Sequence, residues 1–224
     1  MDIVVPTSLA DITLSQYKEY TALPEDLNDL AKMDQAIRIF CNVSVSIVNR
    51  MPLKARKHIA HKITSAVEEV PSEVILRCSL GGYELGFNPK LDDMTLGEYV
   101  DCETCQGDVE KWDKLMRVLY RPVISEQGKR YKILPYADMS EIELDYNSMT
   151  MDVVLSSMVF FCHLGMDLLV HTMKSLMDQQ QDQITNSVSQ ESGDGMEVLL
   201  PLLTATYYEL KKSRDLMCIP PLCT

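Results

Sequence analysis

The stretch Ile12-Thr13-Leu14-Ser15-Gln16-Tyr17-Lys18-Glu19 returns later in the chain as Met94-Thr95-Leu96-Gly97-Glu98-Tyr99-Val100-Asp101. Thr, Leu and Tyr coincide. An amide or carboxylate stands three residues after each Thr, which is the spacing of a capping box, where two side chains satisfy amides of the first helical turn reciprocally. A second block follows each stretch: Asp34-Gln35-Ala36-Ile37-Arg38-Ile39-Phe40 in the first, Asp113-Lys114-Leu115-Met116-Arg117-Val118-Leu119 in the second. A longer helix then follows each block, after Arg50-Met51 in one case and Ser148-Met149 in the other. A repeated unit buries its apolar face against its neighbour, so self-similarity restricts the architecture strongly. The pattern predicts a mainly α fold, a duplicated helical unit (short helix, amphipathic helix, long helix) with one or two inserted β-hairpins. Each Tyr lies three residues beyond its Leu, on the same side of the helix. Leu14, Tyr17, Leu96 and Tyr99 are therefore expected to anchor the cores of the two copies.

Hydropathy and punctuation fill in this frame. A short helix is expected over 13–23, and Pro24 suits the first turn of a second helix with Leu27, Leu30, Met33, Ile37 and Phe40 on one face. Pro52 opens a third that reaches about Val70, with Ile59, Ile63, Ala66, Val67 and Val70 as its apolar stripe. Val74 to Leu80, Gly81-Gly82 and Tyr83 to Phe87 read as a hairpin, because the two glycines supply the positive φ of a tight turn. Asp108 can cap a longer helix carrying Val109, Trp112, Leu115, Met116 and Leu119, which Arg121-Pro122 stops. A second hairpin is expected over 123–134, and a long helix from about Met151 to Gln181. The resulting organisation is a first helical repeat at 1–72, a hairpin connection at 73–91, a second repeat at 92–183, a flexible Ser/Asn/Gly-rich loop at 184–195, and a C-terminal helix and tail at 196–224. One compact domain is expected to hold them all.

Composition excludes several classes. Hydrophobic residues make up 46% and charged residues 24% of 224 residues, an ordinary globular balance. A formal net charge of −12 disfavours a broad nucleic-acid surface, since Lys and Arg must supply the affinity for phosphate. Met1 to Pro6 lacks the positive flank of a secretory leader, and seven cysteines without one read as reduced thiols in a cytosolic compartment. Val153 to Val170 is the longest apolar run. It contains Ser156, Ser157, His163, Gly165 and Asp167, which fit a buried core helix better than a membrane span. His163 and Asp167, four residues apart, are expected to pair within that core.

Candidate chemistry is sparse. Cys102-Glu103-Thr104-Cys105 could supply two thiolates to zinc or form a redox couple. Zinc needs about four ligands, however, and no second pair stands at the usual spacing. The pair is also expected at a helix end rather than at the strand-to-helix junction of redox proteins. Lys54, Lys57, His58, His61 and Lys62 follow helical spacing opposite the third helix's apolar stripe and read as a solvated or partner-binding face. No Glu stands between the histidines as in the zinc-protease motif. Neither a phosphate-binding loop nor a nucleophile elbow is present, so no catalytic residue and no cofactor is assigned. Fourteen methionines suit adaptable binding surfaces and irregular cores alike.

The run Leu91-Asp92-Asp93-Met94-Thr95-Leu96-Gly97-Glu98-Tyr99, followed by Trp112, Leu115 and Met116-Arg117-Val118-Leu119-Tyr120-Arg121-Pro122, resembles a pattern in small helical morphogenesis proteins of tailed bacteriophages, including tail assembly chaperones. Met151-Asp152-Val153-Val154-Leu155 and Phe160-Phe161-Cys162-His163-Leu164-Gly165 resemble that group's long helix. The resemblance spans roughly residues 12 to 170 and rests on caps and core positions. It implies a non-enzymatic protein that binds a phage structural protein during virion assembly in the host cytoplasm. The alternative is a permanent virion subunit of the head–tail connector or tail, which would self-associate as a homo-oligomer.

Overall fold

The computed structural model describes residues 3–68, 71, 73–88, 94–128, 130–159, 169–170, 172 and 174. Among them the chain is mostly helical, with one small antiparallel sheet of four strands. Helices α1 (Leu14–Thr21), α2 (Asp29–Phe40), α3 (Val45–Arg50) and α4 (Leu53–Val67) come first, then strands β1 (Arg77–Leu80) and β2 (Tyr83–Phe87). Helices α5 (Leu96–Gln106) and α6 (Trp112–Leu119) follow, then β3 (Tyr120–Gln127) and β4 (Arg130–Ile133). A further helix, α7, covers residues 151–159.

Local chemistry sets the boundaries. Thr13 caps α1 through a full capping box with Gln16. Pro24 does not open α2. It sits in a turn closed by Leu27 N–H donating to its carbonyl, and Asn28 caps α2 instead by accepting from the Ala31 amide at 2.8 Å. An Asn oxygen reaches an orphan amide that a proline has no means to satisfy, and this moves the helix start forward. The C-terminus of α2 is a Schellman motif. Asn42 takes φ +50°, Val43 N–H donates to Arg38 O at 3.1 Å, and Asn42 N–H donates to Ile39 O at 3.3 Å. That turn gives room to α3, an element the hydropathy pattern does not announce. Pro52 is the N-cap of α4.

The two hairpin regions belong to one sheet, in the order β1-β2-β3-β4. Gly81 and Gly82 take φ +57° and +83° between paired Leu80 and Tyr83, the conformation a two-residue turn requires. The strand containing Arg121-Pro122 starts at Tyr120, immediately after α6. These two residues therefore pair with Gly86 and Leu85 rather than merely stopping a helix. Pro122 sits at the last pair of that ladder, where its missing amide costs least. Gly86 clears the way for Tyr131, whose ring would collide with any Cβ there; the Tyr131 hydroxyl donates to Phe87 O at 2.7 Å across the strand.

One continuous core joins both halves of the chain. Helix α7 is buried on nearly every side, with Met151, Val153, Val154, Leu155, Met158 and Val159 all inaccessible, as befits a helix that is apolar all round. Its two buried serines are satisfied: Ser156 donates to Val153 O and accepts from the Ile75 amide, and Ser157 donates to Val154 O. The start of α7 is stitched to the start of α1, with Leu14 N–H donating to Met149 O at 2.9 Å and Met151 N–H to Ile12 O at 2.8 Å. Tyr17 of α1 stacks on Trp112 at 5.6 Å, and Lys18 meets Asp113 at 2.6 Å, so α1 packs against α6. No helix among the described residues is long and apolar enough to cross a membrane. His163, Asp167, the loop at 184–195 and the segment at 196–224 lie outside the described residues, as does the helix beyond 174.

Candidate functional site

Helix α4 divides its faces as its sequence dictates. Ala60, Ile63, Ala66 and Val67 are buried, while Lys54, Lys57, His58, His61 and Lys62 are all exposed on the other side. Spacings of three and four residues put these five side chains on one stripe. Between Leu53 and Val67 there is no Asp or Glu. Arg56 leaves the stripe and pairs with Asp34 of α2 at 2.9 Å, fixing the two helices together.

Beside that ion pair, α2 and α4 enclose an open groove of about 480 Å³. Met33 and Ala60 lie at its base, and Leu30 and Leu53 stand on its walls at 54% and 50% exposure. Leu30, expected on the buried face of α2, thus faces outward. With α2 starting at Asp29 instead of Pro24, Leu30 falls in the first turn, beyond the reach of the core. Lys57 and His61 line the same groove, and Asp29 stands there too. Of the five residues singled out from sequence, the structure brings these two to the groove. Lys54, His58 and Lys62 remain on the adjoining solvent face.

The cysteine pair lies towards the C-terminal end of α5. Cys102 lies inside α5 and Cys105 in its last turn, because the capping box at Thr95 and Glu98 starts a helix that runs on to Gln106. Cys105 is buried and Cys102 half-buried, and both are free thiols. Burial pushes the Cys102 thiol up to about 12, helped by the neighbouring Cys105, Glu98 and Asp101 and opposed by Arg121. Burial and Asp101 also raise Cys105. Thiols held protonated are poor nucleophiles and poor metal ligands. No group of three or more His, Cys, Asp or Glu among the described residues is arranged to hold a metal ion.

Sequence reasoning missed the buried ion pair beside these thiols. Glu98 and Arg121 meet at 2.8 Å with their side chains 5% and 6% exposed. Glu98 uses its other oxygen to accept from the Thr95 amide at 2.6 Å, so one carboxylate closes the capping box and holds the guanidinium. The Arg121 Nε finds no partner among the described residues, and the guanidinium lies 6.0 Å from the Tyr136 ring centroid. Tyr136 donates to Asp101, and burial together with that bond pushes its hydroxyl up to about 12. A signal was present: Glu98 belongs to Met94-Thr95-Leu96-Gly97-Glu98-Tyr99 and Arg121 to Leu119-Tyr120-Arg121-Pro122, the two motifs that carry the phage resemblance. Their meeting joins α5 to β3 and explains both motifs as structural. Comparison with protein families, curated proteins and solved structures finds no match to this chain.

Proposed function

We propose that this chain is an assembly protein of a tailed bacteriophage, resembling tail assembly chaperones, that binds a phage structural protein during virion morphogenesis in the host cytoplasm. It acts by binding, without catalysis or a cofactor. The observation that carries the binding role is the groove between α2 and α4, where half-exposed leucines stand beside Lys57 and His61 on two helices clamped by Arg56 and Asp34. Exposed apolar side chains gathered in a concave site on rigid elements favour a protein ligand over bulk water. The phage context rests on the Thr95–Tyr99 and Leu119–Pro122 motifs.

The duplication belongs to the same proposal. Gln16 and Glu98 occupy the same capping position. Each reaches the chain at or just after its own copy's second helix, Gln16 through Ile39 O at 2.9 Å and Glu98 through Arg121 at 2.8 Å. A common ancestral unit accounts for this parallel tie.

Mass spectrometry of purified virions, paired with affinity purification of the intact chain from infected cells, tests the role. A chaperone is absent from virions and co-purifies with one structural protein. Stoichiometric amounts in the virion would replace this reading with that of a permanent connector or tail subunit.

A further inference from the structure

We propose that the groove between α2 and α4 receives an acidic amphipathic helix of a partner protein. Its apolar side chains seat on Leu30, Met33, Leu53 and Ala60, and its carboxylates face Lys57 and His61. The inference rests on the binding role above and names the chemistry of the partner.

Shape and charge select this occupant together. Two packed helices flank a concave apolar floor, the arrangement into which a third helix lays its own apolar stripe. The half-exposed Leu30 and Leu53 stand on the two walls, one from each helix, where they can grip such a stripe from both sides. Charge then sets the sign of the partner. In a chain of net charge −12, α4 carries Lys54, Arg56, Lys57 and Lys62 and no acid. Arg56 is engaged by Asp34, whereas the three lysines make no ion pair among the described residues. Like-charge repulsion from the rest of the surface disfavours nucleic acid and a second copy of this chain, and phosphates gain nothing from a leucine-lined floor. A local cationic stripe beside the groove still attracts a short acidic helix at distances within the screening length. Asp29, at the first turn of α2, sets one end of the groove apart, and a ligand carboxylate avoids that end.

A yeast-displayed library of helical peptides about four turns long tests this, selected on the intact chain and counter-screened on a Leu30→Ser/Leu53→Ser chain. Both leucines are half-exposed, and an unchanged urea midpoint verifies that the variant folds. Enriched peptides should carry apolar residues at helical spacing flanked by Asp and Glu. They should bind the leucine variant and a Lys54→Glu/Lys57→Glu/Lys62→Glu chain at least about tenfold more weakly. Enrichment of basic or uncharged peptides, equal binding to the leucine variant, or no enrichment at all overturns the proposal. So does displacement of the peptides by a DNA duplex. A dimer that light scattering detects in the intact chain and not in the charge-reversed one gives the groove to a second copy, and overturns it equally. If the selection fails while a structural protein still co-purifies from infected cells, the groove assignment falls and the assembly role stands. If both fail, the assembly role falls too.

Discussion

At the starts of α1 and α5 the same kind of cap is built. The Gln16 amide donates to Thr13 Oγ1, and the Glu98 amide to Thr95 Oγ1, both at 3.3 Å. What surrounds the two caps differs. In α1 the motif Leu and Tyr are buried, Leu14 at 0% and Tyr17 at 6% exposure; in α5 the corresponding Leu96 and Tyr99 are 78% and 58% exposed. Helix α5 turns its capping Glu98 inward with Cys105 instead, and the buried carboxylate is answered by Arg121. A capping box fixes where a helix begins and leaves open which of its faces meets the core. Tertiary packing decides that, and in α5 the buried face is the one that carries Glu98 and its ion pair with Arg121.

The largest difference between the two helix starts lies in the capping residue, Gln16 in one and Glu98 in the other. Removing one partner of a buried ion pair leaves an uncompensated charge, so Arg121→Ala is expected to cost about 3–5 kcal/mol in urea unfolding. A Glu98→Gln/Arg121→Met double variant keeps the cap acceptor and removes both charges, and it should recover most of that loss. If Arg121→Ala is nearly silent, the pair is not closed in solution and α5 is free to turn.

Leu14→Ala probes the apolar anchor of α1. It deletes a fully buried side chain where α1 meets α7, and about 2–5 kcal/mol is expected. The polar anchor is weaker. Gln16→Ala removes the neutral counterpart of Glu98, with its bonds to the Thr13 amide and Ile39 O, and about 1–2 kcal/mol should be lost. Unfolding midpoints of the two variants, taken with the Arg121→Ala result, would order the ties. An inversion between Gln16→Ala and Arg121→Ala would mean that the charge at the α5 cap contributes little.

Titration separates the two helices in another way, since Cys102 and Cys105 lie on α5 and α1 has no cysteine. The folded Cys102 thiol sits at about 12 against an ordinary value of 9.0. The folded state therefore keeps a proton that the unfolded chain gives up first. That contribution is complete below about pH 9 and disappears as the pH climbs towards 12. Urea midpoints followed across this window should fall less steeply for Cys102→Ser than for the parent chain. An identical slope would mean that the thiol is solvated and α5 is loosely held.

Much of this was legible in the sequence, and the exceptions have physical causes. Both capping boxes, the Gly81-Gly82 turn and the two faces of α4 are local properties, set by side chains within one helical turn or one tight loop. The start of α2 differs from the expected one because Pro24, suited to a first helical turn, sits instead in a tight turn closed by Leu27, and Asn28 supplies the cap. The union of the hairpins into one sheet depends on β2 meeting β3, a pairing between residues far apart in sequence that no local pattern encodes. For the candidate site, the cationic stripe of α4 was readable from spacing alone. The groove was not, because it needs α2 beside α4 and an ion pair between Arg56 and Asp34 to hold it.

The smallest expected effect is the most informative about the repeat. Leu96 matches Leu14 by sequence, and a strict structural duplication would make Leu96→Ala as damaging as Leu14→Ala. With Leu96 78% exposed, the substitution removes almost no buried surface and improves helix propensity slightly, so stability should change by no more than about 0.5 kcal/mol. Tyr99→Ser should behave similarly apart from a small propensity cost. A loss of several kcal/mol at Leu96 would show that this face of α5 is covered in solution, by a second copy or another part of the chain. Dilution separates those two cases, since only the first makes the loss depend on protein concentration. A null result leaves the Leu-x-x-Tyr face of α5 as an apolar surface that the described fold does not use. The two helices would then share one cap and differ in which face behind it meets the core.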